Sequence, residues 1–152
     1  MINDRGSLGT LLRHLIELLD NDVQAIYAAR GLDYRPRFTP IMRALMAQTP
    51  LSIRAIAQYA AITHSAASQS VREMARAGLV ASSASTRDAR ERAVALTPKA
   101  LAMADELQQC WTATQSAVQQ LGAELDMDIE SEIARIIAAL EEKPFRVRIE
   151  GG

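Results

Sequence analysis

The stretch "LSIRAIAQYAAITHSAASQSVREMARAGLV", Leu51–Val80, decides the reading of this chain. Ser52 stands directly before Ile53, Ile56, Ala57 and Ala60, which recur at the spacing of one helical face. A serine there accepts a hydrogen bond from an N–H group that the helix start leaves unpaired. Ala61 and Ile62 interrupt the pattern, Thr63 repeats the capping device, and a second helix runs to Ala77 and closes on Gly78. On that second helix Ala67, Val71, Met74 and Ala75 point inward, while His64, Ser65, Ser68, Gln69, Arg72 and Arg76 share the outer face. Two short helices around a tight turn, the second studded with small polar and basic side chains, read as a helix-turn-helix.

Downstream, Leu79–Ser83 and Ala93–Leu96 are short strand candidates, and between them lies "TRDARER", an arginine-rich tip. "LTPKALAMADEL" then starts a long helix with Thr97 as cap and Pro98 at its first position; Leu101, Met103, Ala104, Leu107, Cys110, Trp111, Val118 and Leu121 continue it. After "GAELDMD" a last helix carries Ile129, Ile133, Ile136, Ile137 and Leu140, and Pro144 ends it. The closing "FRVRIEGG" alternates for too few residues to interpret. Upstream, "FTPIMRALMAQ" begins a helix with Thr39 as N-cap and Pro40 at the first position. Before it, Ser7–Arg30 reads as one long helix that Gly31 terminates. Its apolar residues cover well over half its circumference, more than one small core buries, so part of that face awaits a second subunit.

The expected plan is mainly α: a winged helix-turn-helix, with a three-helical core and a small β-hairpin wing, flanked by long N- and C-terminal dimerisation helices. In residue numbers, 7–31 and 98–143 form the dimerisation helices and 37–97 the winged-helix lobe of a single 152-residue chain.

Composition supports this. Apolar residues make up 49% of the chain and aromatic ones only 4%, which favours helices packed on helices. The net charge of −1 hides an asymmetry. From Arg35 to Lys99 ten basic residues face three acids, a surplus of seven positive charges, so the flanks carry a net surplus of eight negative ones. Such a split calls for an anionic partner at the middle. Fifteen of the seventeen basic residues are arginine, whose planar fork suits phosphate. The single cysteine, Cys110, rules out an intrachain disulfide and fits a reducing compartment. His14 and Glu17 break the first apolar run, so neither a signal peptide nor a membrane span is expected, and the expected location is cytoplasmic.

From Phe38 to Leu107 the chain resembles the MarR family of bacterial winged-helix transcription regulators. The likeness rests on the helix-turn-helix stretch and on "RDARERAVALTPKA", in which Asp88, Arg90, Leu96 and Thr97 match the family's wing signature of Asp-x-Arg followed by a strand ending in Leu-Thr. The resemblance implies a homodimer built by the first and the last two helices, each subunit offering one recognition helix and one wing to double-stranded DNA. It also implies control by a small aromatic effector, for which His14, Tyr27, Tyr34 and Trp111 are the candidate pocket residues. Ala66 and Ala67 occupy positions where relatives often carry Arg, Ser or Thr, so base preference does not carry over. The family's peroxide-sensing cysteines lie near the N-terminus, whereas Cys110 sits mid-helix with no cation within four residues, which describes a packed, inert thiol.

In that frame His64, Ser65, Ser68, Gln69 and Arg72 are candidate contacts in the major groove, which is about 12 Å wide. Gln69 suits adenine and Arg72 guanine. A narrow minor groove concentrates negative potential and draws in an arginine. Arg90 is assigned that role, with Asp88 holding its guanidinium in place and Arg87 and Arg92 on phosphates. Two rivals stand beside a DNA-binding repressor. An enzyme lacks support, because His14 and His64 are the only histidines and no catalytic residue set, metal-ligand spacing or cofactor motif appears. A winged-helix interaction module that has lost sequence-specific DNA binding would carry an eroded wing.

Overall fold

The computed structural model describes residues 6–84 and 91–151, and the chain divides into two compact units, 1–108 and 109–152.

The first unit opens with α1, Leu8–Ala29. Gly31 takes a left-handed φ of 70° there, which lets Leu32 N–H reach back to the Tyr27 carbonyl and close the helix. A 3-10 turn, Pro36–Phe38, leads without a break into α2, Thr39–Ala47. The expected cap at Thr39 is therefore corrected. Thr39 is already helical, Phe38 precedes it, and no side chain caps this end. The preceding turn delivers the backbone in helical conformation, so Thr39 Oγ1 is left to accept from Tyr34 OH at 3.3 Å instead.

The helix-turn-helix forms as expected. Helix α3, Ile53–Ala60, is capped by Ser52, and α4, His64–Arg76, by Thr63; each side chain accepts from the N–H three residues on, at 3.1 Å. Ala61 makes the turn in a left-handed conformation, φ 52°. Ala67, Val71 and Met74 are buried, whereas Ala75, expected inward, is exposed. The inward stripe closes at Met74, and the next apolar anchor is Leu79, just past the Gly78 turn.

The wing strands are β2, Val80–Ala84, and β3, Arg92–Leu96, antiparallel with Val80 opposite Leu96 and Ala84 opposite Arg92. A two-residue strand not foreseen from sequence, β1 (Leu51–Ser52), pairs with the other edge of β3 and makes the sheet three-stranded, in the order β1-β3-β2. It fastens the start of α3 to the base of the wing. The core beneath collects Ile41, Met42, Leu45, Ile56, Met74, Leu79 and Val94, all fully buried. Tyr27, Tyr34 and Phe38 add an edge-to-face aromatic run.

Helix α5, Pro98–Glu124, starts in the first unit, where Thr97 Oγ1 accepts from Ala100 N–H as the expected cap. In the second unit α5 ends on Asp126, left-handed at φ 54°, with Met127 N–H donating to the Gly122 carbonyl at 2.9 Å. Asp128 caps α6, Ile129–Glu142. Accepting bonds from Ser131 N–H and Oγ holds its carboxyl below the usual aspartate range. The uninterpreted tail forms a further helix, α7 (Phe145–Glu150). No helix among the described residues is long and apolar enough to cross a membrane.

Candidate nucleic-acid interface

The reading surface is built from the N-terminal end of α4. Because Thr63 projects α4 from the turn, its first residues, His64 and Ser65, stand exposed, followed one turn on by Ser68 and Gln69 and then by Arg72 and Arg76. Ala67 is fully buried beside them, which explains an alanine there: it is the packing position that seats the helix. Ala66 lies on the exposed side. No acid occupies the first turn of α4, so the partial positive charge of its free N–H groups is uncompensated and open to an anion.

The far end of α4 is tied down. Gly78 turns at φ 75°, Thr97 Oγ1 donates to its carbonyl at 2.6 Å, and Lys99 Nζ donates to the Ala77 carbonyl at 2.7 Å. The first turn of α5 thus caps the C-terminus of the recognition helix, a cation at the negative end of a helix dipole. Sequence reasoning had no signal for this contact across 22 residues.

A shallow depression of about 390 Å³ joins α3, α4 and the wing, lined by Ser52, Ile53, Arg54, His64, Glu91 and Arg92. Two of the sequence candidates, His64 and Arg92, meet there. Arg54 joins them and was not among the candidates. It sits in the first turn of α3, where a cation opposes the helix dipole, so helix stability gives no reason for it. That misplacement was the available signal. Arg87, Asp88 and Arg90 lie outside the described residues. Arg92 and Glu91 are exposed at the mouth of the hairpin.

Among the residues proposed for an effector pocket, Tyr27 and Tyr34 are core side chains, each about 1% exposed. Burial pushes the Tyr34 hydroxyl well above its usual pKa, and Gln24 Nε2 donates to the Tyr34 carbonyl at 2.8 Å. His14 is exposed on α1, and Trp111 belongs to the second unit. Cys110 is buried, consistent with a packed thiol.

A capped helix pair, a three-stranded sheet ending in an arginine-bearing hairpin, and long flanking helices define a winged helix-turn-helix protein. Residues 39–91 match the model of the MarR family. No curated protein sequence matches the chain. Solved structures do. MepR of S. aureus, in a complex with DNA, is 17% identical with a TM-score of 0.69, over 89% of this chain and 99% of that one. BpsR of Bordetella bronchiseptica, whose DNA binding is regulated by 6-hydroxynicotinic acid, is 17% identical with a TM-score of 0.64, over 95% and 98%. PcaV of Streptomyces coelicolor, with its natural ligand, is 18% identical with a TM-score of 0.66, over 94% and 97%. At these identities the likeness establishes the fold.

Proposed function

We propose that this chain is a DNA-binding transcriptional regulator and a repressor, acting as a homodimer on a pseudo-palindromic operator. Helix α4 enters the major groove with His64, Ser65, Ser68, Gln69 and Arg72. The wing reaches the minor groove with Arg90, pre-positioned by Asp88, while Arg87 and Arg92 hold phosphates. The observation that carries this reading is the convergence of His64, Arg54 and Arg92 on one depression between recognition helix and wing. Three separate elements present cationic or polar groups to one surface, as a duplex backbone requires. MepR bound to DNA has the same fold. BpsR, whose DNA binding is regulated by 6-hydroxynicotinic acid, and PcaV, solved with its natural ligand, support an aromatic-acid effector that loosens the repressor from its operator. No catalytic role is assigned.

The test is a salt titration of binding to duplex DNA. Wild-type affinity should fall linearly on a logarithmic salt axis. Arg54→Ala and Arg92→Ala should each lower affinity and reduce the slope by about one. Arg90→Ala should cost roughly 1–3 kcal/mol of operator binding. Duplex binding too weak to measure at low salt would instead favour a winged-helix interaction module.

A further inference from the structure

Glu73 is the one acid of α4, and it sits one turn beyond Gln69 on a helix whose outer face is otherwise polar or basic. Facing phosphates, an unpaired carboxylate at this position would weaken binding by repulsion. Its surroundings give it a different task. The side chain is 21% exposed, and its two oxygens serve different partners. Oε2 forms an ion pair with Arg37 Nη2, and Oε1 accepts from Gln69 Nε2 at 3.4 Å. Arg37 lies in the 3-10 turn Pro36–Phe38, whose Phe38 is buried edge-on against Tyr34 at 5.7 Å, so the origin of the guanidinium is anchored in the core.

A carboxylate only accepts hydrogen bonds. The NH₂ end of the Gln69 amide must therefore face Glu73, and its Oε1 must point away. That leaves one N–H and the carbonyl oxygen for a base, the pair of groups that matches N7 and the N6 amino group of adenine. We propose that Glu73, charge-neutralised by Arg37, is a positioning residue that sets the Gln69 amide to read an A·T pair. This rests on the DNA-binding reading above and names what that site selects.

The experiment selects bound duplexes from a random pool with the full chain. It then measures affinity for the selected operator and for each single base-pair change, using wild type, Q69A, E73Q, R37A and the double variant Q69A/E73Q. Glutamine at 73 keeps the size but can also donate, so the amide of Gln69 is no longer fixed. Wild type should prefer A·T at one half-site position by about 5- to 150-fold. Q69A and E73Q should both flatten that position and leave the others unchanged, and E73Q should change nothing further in the Q69A background. R37A, which leaves Glu73 in place, should flatten it partly and guards against an E73Q variant that fails to fold. Loss of preference with Q69A but full retention with E73Q and R37A overturns the proposal. So does an E73Q effect spread evenly over all positions or persisting in Q69A, which would make the pair a mere staple between the turn and α4. A wild type that binds no duplex refutes the DNA-binding reading itself.

Discussion

Ala61 bears the cost of the turn between α3 and α4. Its φ of 52° puts Cβ against the backbone, a conformation costing roughly 1–2 kcal/mol for an L-residue other than Asn, Asp or Gly. Ile62 N–H nevertheless reaches the Ala57 carbonyl at 3.1 Å and closes α3. Replacing Ala61 with glycine should therefore stabilise the protein by about 0.5–1 kcal/mol after the entropy of the freer unfolded chain is subtracted. The opposite exchange, Gly78→Ala, places a methyl in ordinary contact with the Lys99 side chain at 3.7 Å, so only the left-handed backbone opposes it. It should cost about 1 kcal/mol. Urea denaturation of both variants checks the pair of signs. Gly122 differs in kind: a Cβ there would stand 2.6 Å from the Met127 carbonyl oxygen, and backbone cannot swing aside. Gly122→Ala should lower the melting temperature more than Gly78→Ala does.

Elements were legible where they announce their own ends. Ser52 and Thr63 each take the N–H three residues on, as their positions before apolar runs implied. Thr63→Ala should cost about 1 kcal/mol in urea denaturation and should weaken operator binding as well, because it frays the end of α4 that carries His64 and Ser65. Asp128 caps α6 with a depressed carboxyl pKa, so its contribution is present above the unfolded value of about 4 and is lost as pH falls through the lower folded value. The protection of the Ser131 amide against exchange, relative to its intrinsic rate at each pH, should fall on acidification below pH 4 in wild type and change less in Asp128→Asn. Two elements escaped the sequence because their partners are remote or absent. Leu51–Ser52 is a strand only by virtue of Val94 and Ala93 beside it. The described residues of its own unit offer the alternating "FRVRIE" no strand to pair with, so its backbone groups bond within a helix, and Arg148 donates to the Ala139 and Lys143 carbonyls.

At the scale of the molecule, the apolar surface left over is the main prediction. Helix α1 leaves Leu8, Leu12, Leu15, Ile16, Leu18 and Leu19 exposed, with Leu8 at 66%. Helices α6 and α7 leave Ile133, Ile136, Ile137, Phe145 and Ile149 exposed, with Ile149 at 67%. Stripes this long on helices of a monomer are uncommon, and burial of each side chain is worth about 1.5–3 kcal/mol. Sedimentation at micromolar concentration should give a dimer; a monomer would refute the arrangement. In a dimer of this build the operator should carry half-sites about 34 Å apart. The sequence by itself determined the helix-turn-helix, the wing strands, the helix ends at Gly31 and Gly78 and the surplus of arginine at the centre. These are set by local spacing, by capping and by charge, all of which act within a few residues. Only the tertiary structure decided that Lys99 and Thr97 tie down the far end of α4, that Arg54 joins His64 and Arg92, and that Arg37 reaches Glu73 beside Gln69. Those contacts join residues apart along the chain, and it is the packing of the buried core that brings them together.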